Sequence, residues 1–128
     1  MHRVLVSLAA LPLVLHGLIH LMGTTVYMRL GEIQGLPYKT TLLGGRWGER
    51  GMRLFGALWV LPALGFVLSA IALLAGWASW RLLLVGVTIL SLVLTGLDWG
   101  AAYAGVFVSG VILAILWLGP RLAAWVGW

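Results

Sequence analysis

Four apolar runs dominate this chain, and each is long enough to cross a bilayer. They extend from about Val4 to Met22, Leu54 to Ala75, Leu82 to Trp99 and Ala101 to Leu118. A helix rising about 1.5 Å per residue needs about 20 apolar residues to cross roughly 30 Å of hydrocarbon. Within these runs the only ionisable side chains are His16, His20, Asp98 and Tyr103. Water cannot solvate such a surface: 62% of the 128 residues are hydrophobic and 9% charged, where a soluble domain carries roughly 25% charged residues. The expected fold is therefore all-α, a single domain over 1–128 that forms a four-transmembrane-helix bundle in the lipid bilayer. The first run follows Arg3 as a signal peptide would. It is longer than a signal core, and no small-x-small cleavage site follows it, so it reads as a span.

Composition also removes several functions. There is no cysteine, hence no disulfide, thiolate metal site or thiol nucleophile. The net charge of +5 is spread over headgroup-level Lys and Arg, with no basic module for nucleic acid. No Gly-rich phosphate loop follows a strand, and no Ser-His-Asp set is evident. An enzyme is not expected.

Between Thr24 and Arg53 lies one long connection, the interfacial loop 24–53, with seven of the eleven charged residues: Arg29, Glu32, Lys39, Arg46, Glu49, Arg50 and Arg53. Gly35-Leu36-Pro37-Tyr38 and Leu43-Gly44-Gly45-Arg46 carry turn chemistry. Leu42, Leu43 and Trp47 are apolar among the charges, so the loop is expected to be partly helical and to cover one end of the bundle. The short turn Gly76–Arg81 makes the second and third spans antiparallel neighbours. Gly119-Pro120-Arg121 is expected to end the last span, leaving Ala123–Trp128 as an apolar tail in the interface. Four spans put Arg3, Arg81 and Arg121 on one side and five loop cations on the other, which leans toward a cytoplasmic long loop.

The first span holds the polar feature that needs a reason. Pro12, His16, His20 and Thr24 recur every four residues and so share one helical face. A polar face in a membrane helix is expected to point inward. Thr88, Ser91, Thr95 and Asp98 form a stripe on the third span. Topology puts His16, His20 and Asp98 toward the long-loop side, with Tyr103 at the same level and Glu32 and Glu49 in the loop above. These six form the expected polar cluster.

Two readings follow. In one, the histidines are structural and bond carbonyls freed by Pro12, loop groups and Asp98, at about 0.6–2 kcal/mol per contact. In the other, His16, His20 and Asp98 hold a metal, since imidazoles four residues apart lie about 6 Å apart in rise on one face. A haem between two copies or against a partner subunit is a variant; bis-histidine ligation within the chain fails, because both rings project from one side of one helix. No cofactor is the default. Small residues at Gly65 and Ser69, and at Ala101, Gly105 and Ser109, mark helix-packing seams. They suggest an accessory or structural subunit that joins copies of itself or a larger membrane complex. A metal- or haem-binding protein in redox or quinone-linked work is the second possibility, and an oligomeric small-solute transporter the third.

The chain resembles an uncharacterised family of small bacterial four-span membrane proteins. The likeness rests on His16-Gly17-Leu18-Ile19-His20-Leu21-Met22-Gly23, the two turn segments quoted above, Phe55-Gly56-Ala57-Leu58-Trp59, and Leu97-Asp98-Trp99 through Gly105. It implies a four-helix fold in a bacterial cytoplasmic (inner) membrane and implies no substrate. The family's last motif has a carboxylate where this chain has Ala101, and Asp98 is the nearest substitute.

Overall fold

The computed structural model describes residues 1–125 and residue 127. Its elements are α1 (His2–Tyr27), β1 (Thr41–Leu42), β2 (Gly45–Arg46), α2 (Gly48–Leu58), α3 (Val60–Ala75), α4 (Trp80–Leu97) and α5 (Trp99–Trp125). With α2 and α3 nearly continuous, four helical stretches among the described residues are long and apolar enough to span a membrane. The chain is an all-α, multi-pass membrane bundle.

Local chemistry sets the helix ends. Arg29 (φ 57°) takes a left-handed conformation after α1. Leu30 N–H then returns to the Thr25 carbonyl at 2.8 Å, closing the helix with a Schellman turn. Gly76 (φ 70°) does the same for α3, with Trp77 N–H on the Ala72 carbonyl at 2.9 Å. The α2/α3 break at Trp59 has a covalent cause. Pro62 has no N–H for the Leu58 carbonyl, so the ladder is interrupted there.

Three boundaries differ from expectation. First, the second helical span begins at Gly48 instead of Leu54; α1 runs on to Tyr27, within the helical extension toward Met28 that the sequence allows, so the connection narrows to 28–47. Second, the 24–53 stretch expected to be partly helical is helical at its two ends, 24–27 and 48–53, and forms a β-hairpin between them. Thr41 pairs with Arg46 and Leu42 with Gly45. Leu43 (φ 51°) and Gly44 (φ 77°) both have the positive φ that a two-residue I′ turn demands. As expected, this loop folds back on the bundle. Leu42 is buried among Val26, Tyr27, Met52, Phe55, Trp59 and Leu94.

Third, α5 runs through Pro120 to Trp125 instead of ending at Gly119. A proline at 120 leaves the Leu116 carbonyl without its helical donor. Arg81 fills that vacancy: its Nη2 donates to the Leu116 carbonyl at 3.2 Å. The helix can therefore continue past the proline. Of the expected interfacial tail, residues 126 and 128 lie outside the described residues.

The helices pack as a row, α1 on α3, α3 on α4, and α4 on α5, with α2 closing against α1. Glycine permits the closest approaches. A Cβ on Gly17 would lie 2.9 Å from the Ala63 carbonyl oxygen, and one on Gly23 would lie 2.5 Å from the Trp59 ring. Two apolar clusters result. One, around Tyr27, Phe55 and Trp59, sits at the loop end; the other, around Leu13, Phe66, Ala70 and Leu84, sits toward the termini. The polar stripes of α1 and α4 fall between them.

Candidate functional site

The inward face of α1 delivers both imidazoles to the interior. His20 is fully enclosed and His16 nearly so. Their rings meet edge to face, with centroids 4.7 Å apart. Phe66 of α3 stands edge-on to His16 at 4.7 Å.

The bonding around His20 fixes its proton. Nδ1 lies 2.8 Å from the His16 carbonyl oxygen. A carbonyl only accepts, so Nδ1 carries the hydrogen and donates. In a neutral ring Nε2 then accepts, and Ser91 Oγ, at 2.7 Å, is its donor. Ser91 in turn accepts from Ser109 Oγ at 3.0 Å. This relay ties α1 to α4 and α4 to α5 in the middle of the apolar span. Thr88 and Thr95 bond the carbonyls of Leu84 and Ser91 on their own helix, so those hydroxyls decorate the seam.

The second polar group lies at the α4–α5 corner. Asp98 follows α4 directly, and a short turn over 99–101 leads through Ala102, whose backbone is non-helical (φ −120°, ψ 20°), into the body of α5. The Asp98 backbone carbonyl accepts from Ala101 and Ala102 at 3.0 and 2.7 Å. Its carboxylate, fully enclosed, accepts from the Tyr27 hydroxyl on one oxygen and from Lys39 Nζ on the other. Lys39 comes from the long loop and remains partly exposed. One carboxylate thus binds the end of α1, the loop and the α4–α5 corner together.

The expected six-residue cluster is not assembled in this form. Asp98 is near the histidines in topology, but its partner Tyr27 is seven residues beyond His20, about 10 Å of helix. Tyr103 turns outward; it is half-exposed and stacks near Trp99 at 6.4 Å. Glu32 is exposed. Glu49 is also exposed and pairs with Arg29 at 2.6 Å. Among the described residues, no three His, Cys, Asp or Glu side chains converge where an ion could sit. His20 has both nitrogens engaged. The His16–His20–Asp98 metal set therefore is not assembled among the described residues.

Tyr27 and Lys39 were missed from sequence. Tyr27 was findable, since it continues the stripe His16–His20–Thr24 by three residues. Lys39 had no signal that set it apart from the other loop cations.

The packing residues lie mostly within the chain. A Cβ on Gly65 would come 2.4 Å from Val87. Ser69 is enclosed and bonds back to the Gly65 carbonyl at 2.7 Å. A Cβ on Gly105 would come 2.6 Å from Thr95, Ser109 bonds Ser91, and Ala101 is partly buried at the corner. Both seams join neighbouring helices of one chain, and so are not free for a second copy.

On the terminal side of the polar layer, α1 and α5 stand apart and leave an apolar groove of about 680 Å³. His16 lines it. Among the described residues, three buried side-chain atoms have no hydrogen-bond partner: His16 Nε2, Tyr38 Oη and Trp59 Nε1.

No protein-family model, curated protein or solved structure matches the chain. The class that the fold defines is a small multi-pass membrane protein with a buried mid-span polar layer.

Proposed function

We propose that this protein is a non-catalytic subunit of a bacterial cytoplasmic membrane that associates laterally with copies of itself or with a larger membrane complex. One observation carries the reading. In the span of α5 only 6% of residues are buried, against 28–39% in the other three spans. This last helix touches the bundle along one edge, through Gly105, Ser109 and their neighbours, and leaves most of its circumference free.

The internal polar groups support the same reading. The His20–Ser91–Ser109 relay and the Tyr27–Asp98–Lys39 group both spend their bonds on holding helices and loop in place. Such contacts are the usual glue of membrane bundles. The bacterial location rests on the resemblance through His16–Gly23 and on a loop end rich in exposed cations, Arg46, Arg50 and Arg53, as a cytoplasmic face would be.

The absence of native cysteine gives a clean test. Ala114, exposed on the free side of α5, is changed to Cys and oxidised in native membranes, with Leu21→Cys on α1 as the control. Self-association through α5 gives a crosslinked dimer from Ala114→Cys and none from Leu21→Cys. A larger complex gives instead a heavier adduct and a co-purifying partner in mild detergent. Monomer alone in both assays refutes the proposal.

A further inference from the structure

The lipid-facing row on α2 and α3 is headed by arginines that the chain leaves without a counter-charge. Arg50, Leu54, Ala57, Leu61 and Leu64 recur every four and three residues and are all exposed, so they share one helical face. Met52 and Phe55 are buried on the opposite face. Trp59, at the junction of the two helices, keeps near-helical angles (φ −66°, ψ −19°), and the row passes it in register. Arg53, also exposed, stands one turn from Arg50 at the edge of the same face. Depth follows from length. The two helices together cover 28 residues, about 42 Å of helix against roughly 30 Å of hydrocarbon. Because the apolar run Leu54–Ala75 fills the hydrocarbon, Arg50 and Arg53 stand in the headgroup layer. From Leu54 to Leu64 the row then descends about 15 Å, the depth of one leaflet.

The chain has only three acidic residues. Asp98 takes Lys39, and Glu49, the acid beside Arg50, takes Arg29. Among the described residues, Arg46, Arg50 and Arg53 enter no ion pair. Arg46, on the hairpin just before α2, is exposed like the other two. Occupants of this face make different demands. An acidic protein segment answers the arginines but leaves the leucine row uncovered. An apolar helix covers the row and leaves the guanidinium groups in contact with nothing of opposite charge. A zwitterionic phospholipid carries its own ammonium group into a positive field. A phospholipid with a net negative headgroup meets both demands in one molecule. Its phosphate oxygens match the guanidinium fork, and its acyl chains lie along Leu54, Ala57, Leu61 and Leu64.

We propose that the outer face of α2 and α3 is a binding site for one anionic glycerophospholipid, with its phosphodiester held by Arg50 and Arg53 and its chains laid along the leucine row. Arg46 adds attraction from the hairpin. This site lies on α2 and α3 and lateral association rests on α5, so either can fail alone.

The test uses the full chain, exchanged in detergent against an equimolar mixture of phosphatidylglycerol and phosphatidylcholine with identical acyl chains. Lipid retained per chain is counted by mass spectrometry. Wild-type protein keeps one phosphatidylglycerol in preference to phosphatidylcholine, and the preference fades as salt is raised. Arg50→Gln/Arg53→Gln lowers the preference by about fivefold per arginine, roughly twenty-fivefold for the pair. Arg3→Gln/Arg121→Gln removes the same charge at exposed positions on the other side of the bundle, and leaves the preference unchanged. If Arg50→Gln/Arg53→Gln does not fold, the salt dependence of the wild type decides, and a preference indifferent to salt overturns the proposal. No preference in the wild type overturns it. So does a preference that survives Arg50→Gln/Arg53→Gln, or one that falls equally in Arg3→Gln/Arg121→Gln, which makes it an effect of net charge. A changed oligomeric state in Arg50→Gln/Arg53→Gln makes this face a protein seam and overturns it as well.

Discussion

Lys39 and Asp98 make the strongest quantitative claim about how the long loop is held. Asp98 is fully enclosed, and its carboxylate has two donors, Tyr27 and Lys39. Lys39→Met keeps the aliphatic stem and removes the charge, leaving a buried carboxylate with the Tyr27 hydroxyl as its remaining partner. Breaking a fully buried pair from one side costs about 3–5 kcal/mol. Because the Lys39 side chain is 30% exposed, part of its attraction is already screened, and about 2–3 kcal/mol is the better expectation. Asp98→Asn removes the charge that needed compensating, and should cost about 1–2 kcal/mol, near one hydrogen bond to a charged group. In Lys39→Met/Asp98→Asn neither charge is left stranded. The double variant should therefore be more stable than the sum of the single effects by at least about 1 kcal/mol. The assay is a double-mutant cycle from reversible unfolding in detergent, with hydrogen exchange of residues 30–47 as the local readout. Lys39→Met should raise loop exchange while the mid-span amides of α1 stay protected. Additivity to within about 0.5 kcal/mol, with unchanged loop exchange, would show that the two side chains are not coupled and that the loop is held by other contacts.

Four further outcomes follow from the packing and caps. Gly65→Ala forces a methyl to within 2.4 Å of Val87 Cγ2 and 2.9 Å of its Cβ and should destabilise by about 1–3 kcal/mol; Val87→Ala should relieve only part of this, because the Cβ contact remains. Gly86→Ala, with nothing within 4 Å, should be neutral or slightly stabilising in the same unfolding assay. His20→Leu removes both the bond to Ser91 and that to the His16 carbonyl, so it should cost about 1–3 kcal/mol and speed exchange of mid-span α4 amides. Arg81→Leu uncaps the Leu116 carbonyl beneath Pro120. Hydrogen exchange should rise over 117–125, with global stability changed by less than about 1 kcal/mol.

The overall architecture was readable because it rests on a strong term. Roughly 30 Å of hydrocarbon admits few backbones other than a helix, and four apolar runs leave little choice of span number. The inward aim of His16 and His20 followed from their four-residue spacing with Thr24, while Pro12, the first member of that row, is exposed. What failed was everything that required a specific partner. The hairpin at Thr41–Arg46 was not visible because Leu43 takes a left-handed φ that its residue type disfavours. The continuation through Pro120 was hidden because its compensation comes from Arg81, on another helix. Asp98 was correctly singled out as needing a partner, but periodicity cannot say which loop cation will reach it. The packing seams were located by small-residue spacing, which marks close approach without saying whether the neighbour belongs to the same chain.

The order of Asp98 and its partners along the chain has a consequence for biogenesis. Tyr27 and Lys39 both precede Asp98 in sequence, so a ribosome completes the receiving site long before it makes the acid. Because Asp98 opens the tight corner at 98–102 between α4 and α5, those two helices turn back beside that acid when they enter the lipid, and a hydrogen-bond acceptor arrives at a dock already built. Were the partners encoded downstream, an uncompensated carboxylate would have to wait at the membrane edge during synthesis.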